Sequence, residues 1–342
     1  MFKLVIPKRL CVSFHSSGYS FVRFCSVNSE CLSLEASVRA AVESRTYRQI
    51  PDIFIGSKES CQNPNPFSFL SGFSVARRTQ VIDELLQDFI SIRPRYRPYA
   101  TYSCLLTYVL QSSDPFPIAL AIVQRVIRSG CVPVPQTHLL LSSAWMERRQ
   151  QCESVSKMLM EMESIGYCPD CGTCNYLISS LCKVDQSNEA VLVLRGMCKA
   201  GCIPDLDTYG TVIGAMCRIR RINVVVELMK EMVQFGLTPR QEIVVKVIVA
   251  MRARKDVWRA VEIIELLQSE DILVGFEIYE SVLEGCLGCG EYVLAGKVVM
   301  GMTNRGFIPY IRARQKVVEG LANAGDWELA YAVRQRFAEL KS

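Results

Sequence analysis

Residues 171–205 read CGTCNYLISSLCKVDQSNEAVLVLRGMCKAGCIPD, and residues 206–240 repeat the plan as LDTYGTVIGAMCRIRRINVVVELMKEMVQFGLTPR. Each stretch opens with apolar residues at i, i+3, i+4 and i+7, breaks at a short polar turn, resumes a helical period, and closes on Gly-x-x-Pro. The closing signal recurs as Gly130…Pro133, Gly166…Pro169, Gly201…Pro204, Gly236…Pro239 and Gly306…Pro309, with glycine steps of 36, 35, 35 and 70 residues. The copy missing from the last step falls at Asp271 to Val274, where the spacing persists without the Gly and Pro. A fixed period of this size marks a stacked array.

Working outward, the units are 99–134, 135–170, 171–205, 206–240, 241–275, 276–310 and 311–342. A compact residue recurs near the twentieth position (Ala190, Val225, Ala260, Ala295, Ala330), letting two helices approach closely. A bulky one recurs near the twenty-seventh (Met162, Met197, Met232, Leu267, Met302, Phe337). An aliphatic pair opens each unit, as at Leu177-Ile178 and Val212-Ile213. The pattern predicts helical hairpins, the first helix over about Thr173 to Lys183 and the second over about Asn188 to Lys199. Gly201 is placed as a left-handed helix terminator, and Pro204 starts the next unit. One hairpin cannot bury its own apolar face, so stacked neighbours supply the core. The expected fold is all-α, a right-handed α-solenoid superhelix of stacked helix-turn-helix repeats. Upstream, residues 30–98 read as a degenerate helical region, with an amphipathic helix over 76–92.

Composition agrees with a packed chain. Of 342 residues 50% are apolar and 21% charged, which excludes global disorder. No apolar run approaches the roughly 18 residues of a membrane span. The net charge of +5 is concentrated at one end. Residues 1–29 carry Lys3, Lys8, Arg9, Arg23 and six serines with no acid, the composition of an organelle presequence, with Arg23-Phe24-Cys25-Ser26 as a cleavage context. A mitochondrial address is expected ahead of a plastid one. Removing that segment leaves about +1, which argues against nucleic-acid binding through bulk charge alone.

The repeat resembles the pentatricopeptide repeat (PPR) in its standard 35-residue form, carried by Thr208-Tyr209, Thr101-Tyr102, the Asn175 region and the endings Met-x3-Gly-x-x-Pro at Met197 and Met232. The resemblance covers residues 99–342 and implies a plant-type organellar protein that binds single-stranded RNA, one repeat to one base. It assigns base reading to the fifth and last residues of a unit, with the second helping to sandwich the base. Carried over, Asn175 with Asp205 is the combination that resembles uracil preference; Ser103 stands opposite Val134, and Asp170 opposite Leu139. The next fifth positions are Gly210, Val245, Glu280 and Gln315. Second positions Asp207, Glu242 and Glu277 are acidic where the family has apolar residues, and three carboxylates along a groove would repel phosphates. Arg218, Arg220 and Arg221 cluster as candidate RNA-backbone contacts; Arg93, Arg95 and Arg97 cluster with Tyr96 and Tyr99, which could stack on bases.

Sixteen cysteines include Cys168-x2-Cys171-x2-Cys174 and Cys286-x2-Cys289, spacings that suit zinc. They fall across a helix junction and at a helix end, so no metal site or cofactor is expected, and a reducing organelle matrix predicts free thiols. The histidines are His15, in the presequence, and His138, on an inward helix face. No nucleophile–base pair follows, and the chain ends just after a second helix, so no catalysis is expected. The expected partner is single-stranded organellar RNA, with ribosomal or RNA-processing proteins as the alternative, no membrane, and a monomeric state.

Overall fold

The computed structural model describes residues 34–57, 64–113 and 115–340; the expected presequence lies outside them. The described residues are helical, with no strand among them. They form two compact units, divided between Tyr108 and Val109, and each is taken by itself.

The first unit holds α1 (34–43), α2 (Ile50–Gly56), α3 (Val75–Phe89) and most of α4 (Tyr99–Leu110). The amphipathic 76–92 stretch forms α3, capped by the Ser74 hydroxyl, which accepts from the Arg77 N–H. Its apolar face, Val81, Ile82, Leu85, Leu86 and Phe89, is buried, and Phe89 meets Tyr102 edge-on at 5.5 Å. Cys104, in α4, is disulfide-bonded and so departs from the expectation of free thiols.

The second unit is a run of hairpins. It contains α5 (Phe116–Arg128), α6 (Gln136–Gln151), α7 (Val155–Met160), α8 (Cys171–Lys183), α9 (Ser187–Met197), α10 (Leu206–Arg218), α11 (Ile222–Gln234), α12 (Gln241–Ala253), α13 (Val257–Ser269), α14 (Phe276–Cys289), α15 (Tyr292–Asn304), α16 (Ile311–Asn323) and α17 (Trp327–Glu339). First helices pack in sequence, α6 on α8, α8 on α10, α10 on α12, α12 on α14 and α14 on α16. Second helices form the other layer, with α11 on α13, α13 on α15 and α15 on α17. The recurring compact residues Ala190, Val225, Ala260 and Ala295 are fully buried, as are Met162, Met197, Met232 and Met302. The apolar content therefore goes into a continuous seam between the layers.

Helix termination sets the spacing. Gly130, Gly166, Gly201, Gly236 and Gly306 all have φ between 74° and 82°. Beyond each, the next N–H returns to the carbonyl of the residue five positions back, as in Cys202 N to Met197 O at 2.9 Å and Phe307 N to Met302 O at 3.1 Å. This is the left-handed C-cap with its 6→1 bond. Nothing lies within 4 Å of a Cβ built on Gly201, so the backbone angle, not space, demands glycine. Asp271 holds the same place at φ 53°, with Ile272 N bonded to Leu267 O at 2.8 Å, so the motif survives the lost glycine. A second left-handed register lies inside the hairpins at Asp185, Arg220, Lys255, Gly290 and Gly325, again 35 residues apart.

His138 occupies a polar knot in this seam. Its ring stacks on Tyr176 at 4.9 Å. Its Nε2 lies 2.7 Å from Lys183 Nζ and its Nδ1 2.8 Å from Ser180 Oγ. An ammonium only donates, so Nε2 is the bare nitrogen and Nδ1–H donates to Ser180. Burial, and then the Lys183 charge, lower the His138 pKa from its ordinary value.

Two outcomes follow. Asp271→Gly should stabilise the array by about 0.5 kcal/mol in urea denaturation, because relief of left-handed strain outweighs glycine's extra chain entropy. The Asp271–Arg305 pair, at 3.8 Å with the Asp271 side chain 98% exposed, offers little to lose. For His138 the folded pKa lies below the unfolded one, so its contribution is complete above about pH 6.5 and is lost as pH falls below that value. His138→Gln should flatten the fall in melting temperature between about pH 7 and pH 5; an unchanged slope would place the titration elsewhere.

Candidate nucleic-acid interface

Asn175 and Asp205 are brought together by the repeat itself. Asp205 is the N-cap of α10, where its carboxylate accepts from Thr208 N–H at 2.8 Å. Thr208 completes a capping box, its hydroxyl oxygen accepting from Asp205 N–H at 3.0 Å. Stacking α10 on α8 then sets this cap beside Asn175. Asn175 Nδ2 lies 3.2 and 3.3 Å from the two Asp205 carboxylate oxygens, and its Oδ1 is 2.6 Å from Thr208 Oγ1. A carboxylate can only accept, so the amide orientation is fixed with nitrogen toward Asp205.

Cys171 is the fourth member. Its thiol donates to Asp205 Oδ2 at 3.2 Å, and its sulfur receives the second Asn175 amide hydrogen at 3.5 Å. Burial and the Asp205 hydrogen bond push the Cys171 thiol up to about 11, so it stays protonated. Burial alone would raise Asp205; the donors from Thr208, Cys171 and Asn175 overcome it and hold the carboxyl at about 2. The result is a half-exposed amide, locked in orientation, with a free Oδ1 lone pair and one N–H bonded to a weak sulfur acceptor. That N–H is the cheap one to exchange for a ligand carbonyl.

A groove of about 850 Å³ lies between α8, α10 and α12; Ser179, one turn beyond Asn175, and Leu206, next to Asp205, line it. Arg218 and Arg220 line it together with Lys183, Arg240 and Lys246, and with the carboxylates Asp207 and Glu242. Arg218 is anchored by donating to the Cys182 carbonyl at 3.0 Å. Arg221 is exposed but is the N-cap residue of α11 and is not part of the lining. The floor is small and apolar: Gly210 at a fifth position, Gly214, Ala250 and Ala253. A Cβ on Gly210 would come within 2.8 Å of Ile243 Cδ1, so that side chain fills the place a reading residue would take.

Other expected site residues are engaged differently. Asp170 caps α8 through Thr173 N–H at 2.8 Å and receives two hydrogen bonds from Arg128, the shorter at 2.8 Å. Its fifth-position counterpart Leu139 stands exposed. Ser103, in the first unit, is buried and gives its hydroxyl proton to the Tyr99 carbonyl at 3.0 Å. In that unit Arg97 pairs with Asp52 and Arg93 donates to the Ile90 carbonyl, while Tyr96 is exposed. The thiols of the Cys168–Cys174 run diverge: Cys168 is exposed, Cys171 faces Asp205, and Cys174 is buried against Cys202. Among the described residues no group of three or more His, Cys, Asp and Glu side chains is arranged to hold a metal. No described helix is long and apolar enough to cross a membrane.

Sequence reasoning missed three partners in two pairings. Thr208 and Cys171 complete the Asn175 network, and Arg240 neutralises the acidic second position by pairing with Asp207 at 2.9 Å. The second pairing was legible: Arg240 ends its unit as Asp205 does, so it reaches the preceding first helix in the same way.

This architecture, paired helices repeated every 35 residues with first helices packed side by side, defines a helical-repeat protein. Residues 169–218 match the PPR repeat family and residues 207–237 the PPR repeat. The chain is 57% identical over 310 residues to the pentatricopeptide repeat-containing protein At1g06270 of Arabidopsis thaliana, covering 90% of each. It therefore belongs to the pentatricopeptide repeat family. Among solved structures it is similar to PPR10 in complex with an 18-nt psaJ RNA element (21% identity, TM-score 0.44, 92% of this chain and 49% of that one). It is also similar to the nuclear proteinaceous RNase P 2 of A. thaliana (17%, TM-score 0.33, 54% and 42%). The chain spans about half the length of these solved proteins or less.

The capping role of Asp205 is separable from any ligand. Asp205→Ala should cost about 1 kcal/mol of stability, the usual loss of an N-cap, and Asp205→Asn much less. Amide exchange protection in α10 should fall first; unchanged protection there would deny the cap its role.

Proposed function

We propose that this protein is an organellar single-stranded RNA-binding PPR protein, imported into the mitochondrion, with the plastid as the alternative. It acts by occupancy and without catalysis: the strand lies along the first helices and is shielded from nucleases or from its own secondary structure. The observation that carries this reading is the oriented Asn175 amide near a groove whose lining holds five cations against two carboxylates, Asp207 and Glu242. A fixed amide offers one acceptor and one donor, complementary to uracil N3–H and O4. The cations outnumber the groove's carboxylates and suit the adjoining phosphates.

The competing reading, a protein scaffold on an organellar ribosome, draws on the acidic second positions. One of these, Asp207, is neutralised by Arg240, which weakens that argument. Fluorescence anisotropy with short uracil-containing strands tests the choice. Asn175→Ala should weaken binding about tenfold and flatten the uracil preference, given about 1–3 kcal/mol for a bidentate base contact. Arg218→Ala should lower the slope of log K against log salt by about 0.7 without changing base preference. Absence of strand binding, with co-sedimentation on ribosomal particles, would favour the scaffold.

A further inference from the structure

The turns inside the hairpins form one edge of the second unit, and the charge along that edge is polarised. The turn between α10 and α11 holds Arg220 and Arg221, and the turn between α12 and α13 holds Arg254 and Lys255, all four exposed. The two turns are in contact, since Arg254 Nη1 donates to the Arg220 carbonyl at 2.8 Å. No Asp or Glu occurs over 217–226 or 251–255. The acid that follows, Asp256, is already committed to Arg259 at 2.5 Å. The next two turns reverse the sign. Glu291 precedes α15, and Asp326 and Glu328 lie at the start of α17. No Lys or Arg occurs over 288–291 or 323–328.

Apolar side chains stand on the same edge where the second helices begin. Trp258 is 62% exposed, Val293 holds the same place one repeat on and is exposed, and Trp327 is 68% exposed. Because α13, α15 and α17 pack in sequence, the three form a row. Single exposed apolar residues are ordinary, but a row of them beside unpaired charge marks an interaction surface.

The polarity selects the occupant. A nucleic-acid strand or an anionic bilayer suits the basic half of the edge but meets Glu291, Asp326 and Glu328 in the other. A second copy, turned end over end, suits both halves. A two-fold axis between the 253–256 and 288–291 turns sets Arg221 opposite Glu328 of the second copy, and Lys255 opposite Glu291 of the second copy. At the axis Trp258 meets Val293 of the second copy. Each contact then occurs twice, as an isologous interface requires, with the aromatic anchors central and the charges at the rim.

We propose that this edge is a self-complementary interface joining two copies of the chain antiparallel, in place of the monomeric state expected from the sequence. Four turns on helices about 10 Å apart span roughly 30 Å. An interface of that length is at the small end of specific ones, so the dissociation constant should be on the order of 10 μM.

Sedimentation velocity on the full chain tests this. The wild type should dimerise with concentration over roughly 1–100 μM at low salt, and raising salt to about 0.3 M should weaken the dimer. Arg221→Glu and Glu328→Arg should each weaken it about tenfold, because each reversed charge meets a like charge twice. An equimolar mixture of the two variants should recover wild-type affinity as a heterodimer, since every reversed charge then faces its opposite; recovery also shows that both variants fold. Trp258→Glu, at an exposed position, should abolish association with the helical circular dichroism unchanged. A chain that stays monomeric over the whole range overturns the proposal. So does a dimer indifferent to both reversals, or a mixture that fails to recover. A monomer whose binding to short RNA strands falls with Arg221→Glu would assign the basic half to nucleic acid, and a monomer that sediments with phosphatidylglycerol vesicles would assign it to a membrane; either result overturns the dimer.

Discussion

The second unit depends on one backbone event, the left-handed residue that ends a helix and returns its successor's N–H to a carbonyl five residues back. It satisfies a carbonyl that would otherwise be buried without a partner, and it reverses the chain in a fixed geometry. Because it recurs with a period of 35 at two registers, every first helix meets the next in nearly the same way. The period survives where the residue is Asp271 or Arg220 rather than glycine, so tertiary packing outweighs a local strain of about 1 kcal/mol.

The same geometry brings chemistry to the groove. The last residue of a unit caps or borders the next first helix and reaches back to the helix before it. At Asp205 it meets Asn175 and makes an oriented amide; at Arg240 it meets Asp207 and cancels a charge. At Asp170 the fifth residue is Leu139, which offers no polar group, and the carboxylate pairs with Arg128 instead. One structural place thus has three outcomes, decided by the residue opposite. Capping and orientation of the Asn175 amide also share atoms, since Thr208 serves both, so fold stability and the amide's geometry are coupled at that unit.

The fold was legible because periodicity is written in residues that packing cannot exchange: the small Ala190 and Ala260, the bulky Met197 and Met232, the glycines at positive φ. The intra-hairpin left-handed register was not, because Asp185, Arg220 and Lys255 carry no signature of a backbone angle that the surrounding helices impose. The Asn175–Asp205 contact followed from repeat position. Its support by Thr208 and Cys171 did not, since Thr208 serves as an ordinary capping residue in any such unit, and the Cys171 spacing pointed toward metal chemistry. Burial of Glu280 was equally hidden: a carboxylate in the sequence reads as exposed, and only the stacking of α14 and α16 encloses it.

The fifth positions from Asn175 onward are chemically uneven: an amide, a glycine, a valine, a carboxyl and a second amide at Gln315. In the RNA reading, a groove of this kind holds more bases than it distinguishes. With about 1–3 kcal/mol for each good bidentate contact, two or three reading positions give a discrimination far below that of a fully coded array. The near-neutral body limits what bulk charge can add. Affinity must then come from local features: cations gathered around Arg218 and exposed aromatic faces such as Tyr310. Such a surface suits a protein whose task is to occupy a segment, with a few positions fixing the register in which it does so.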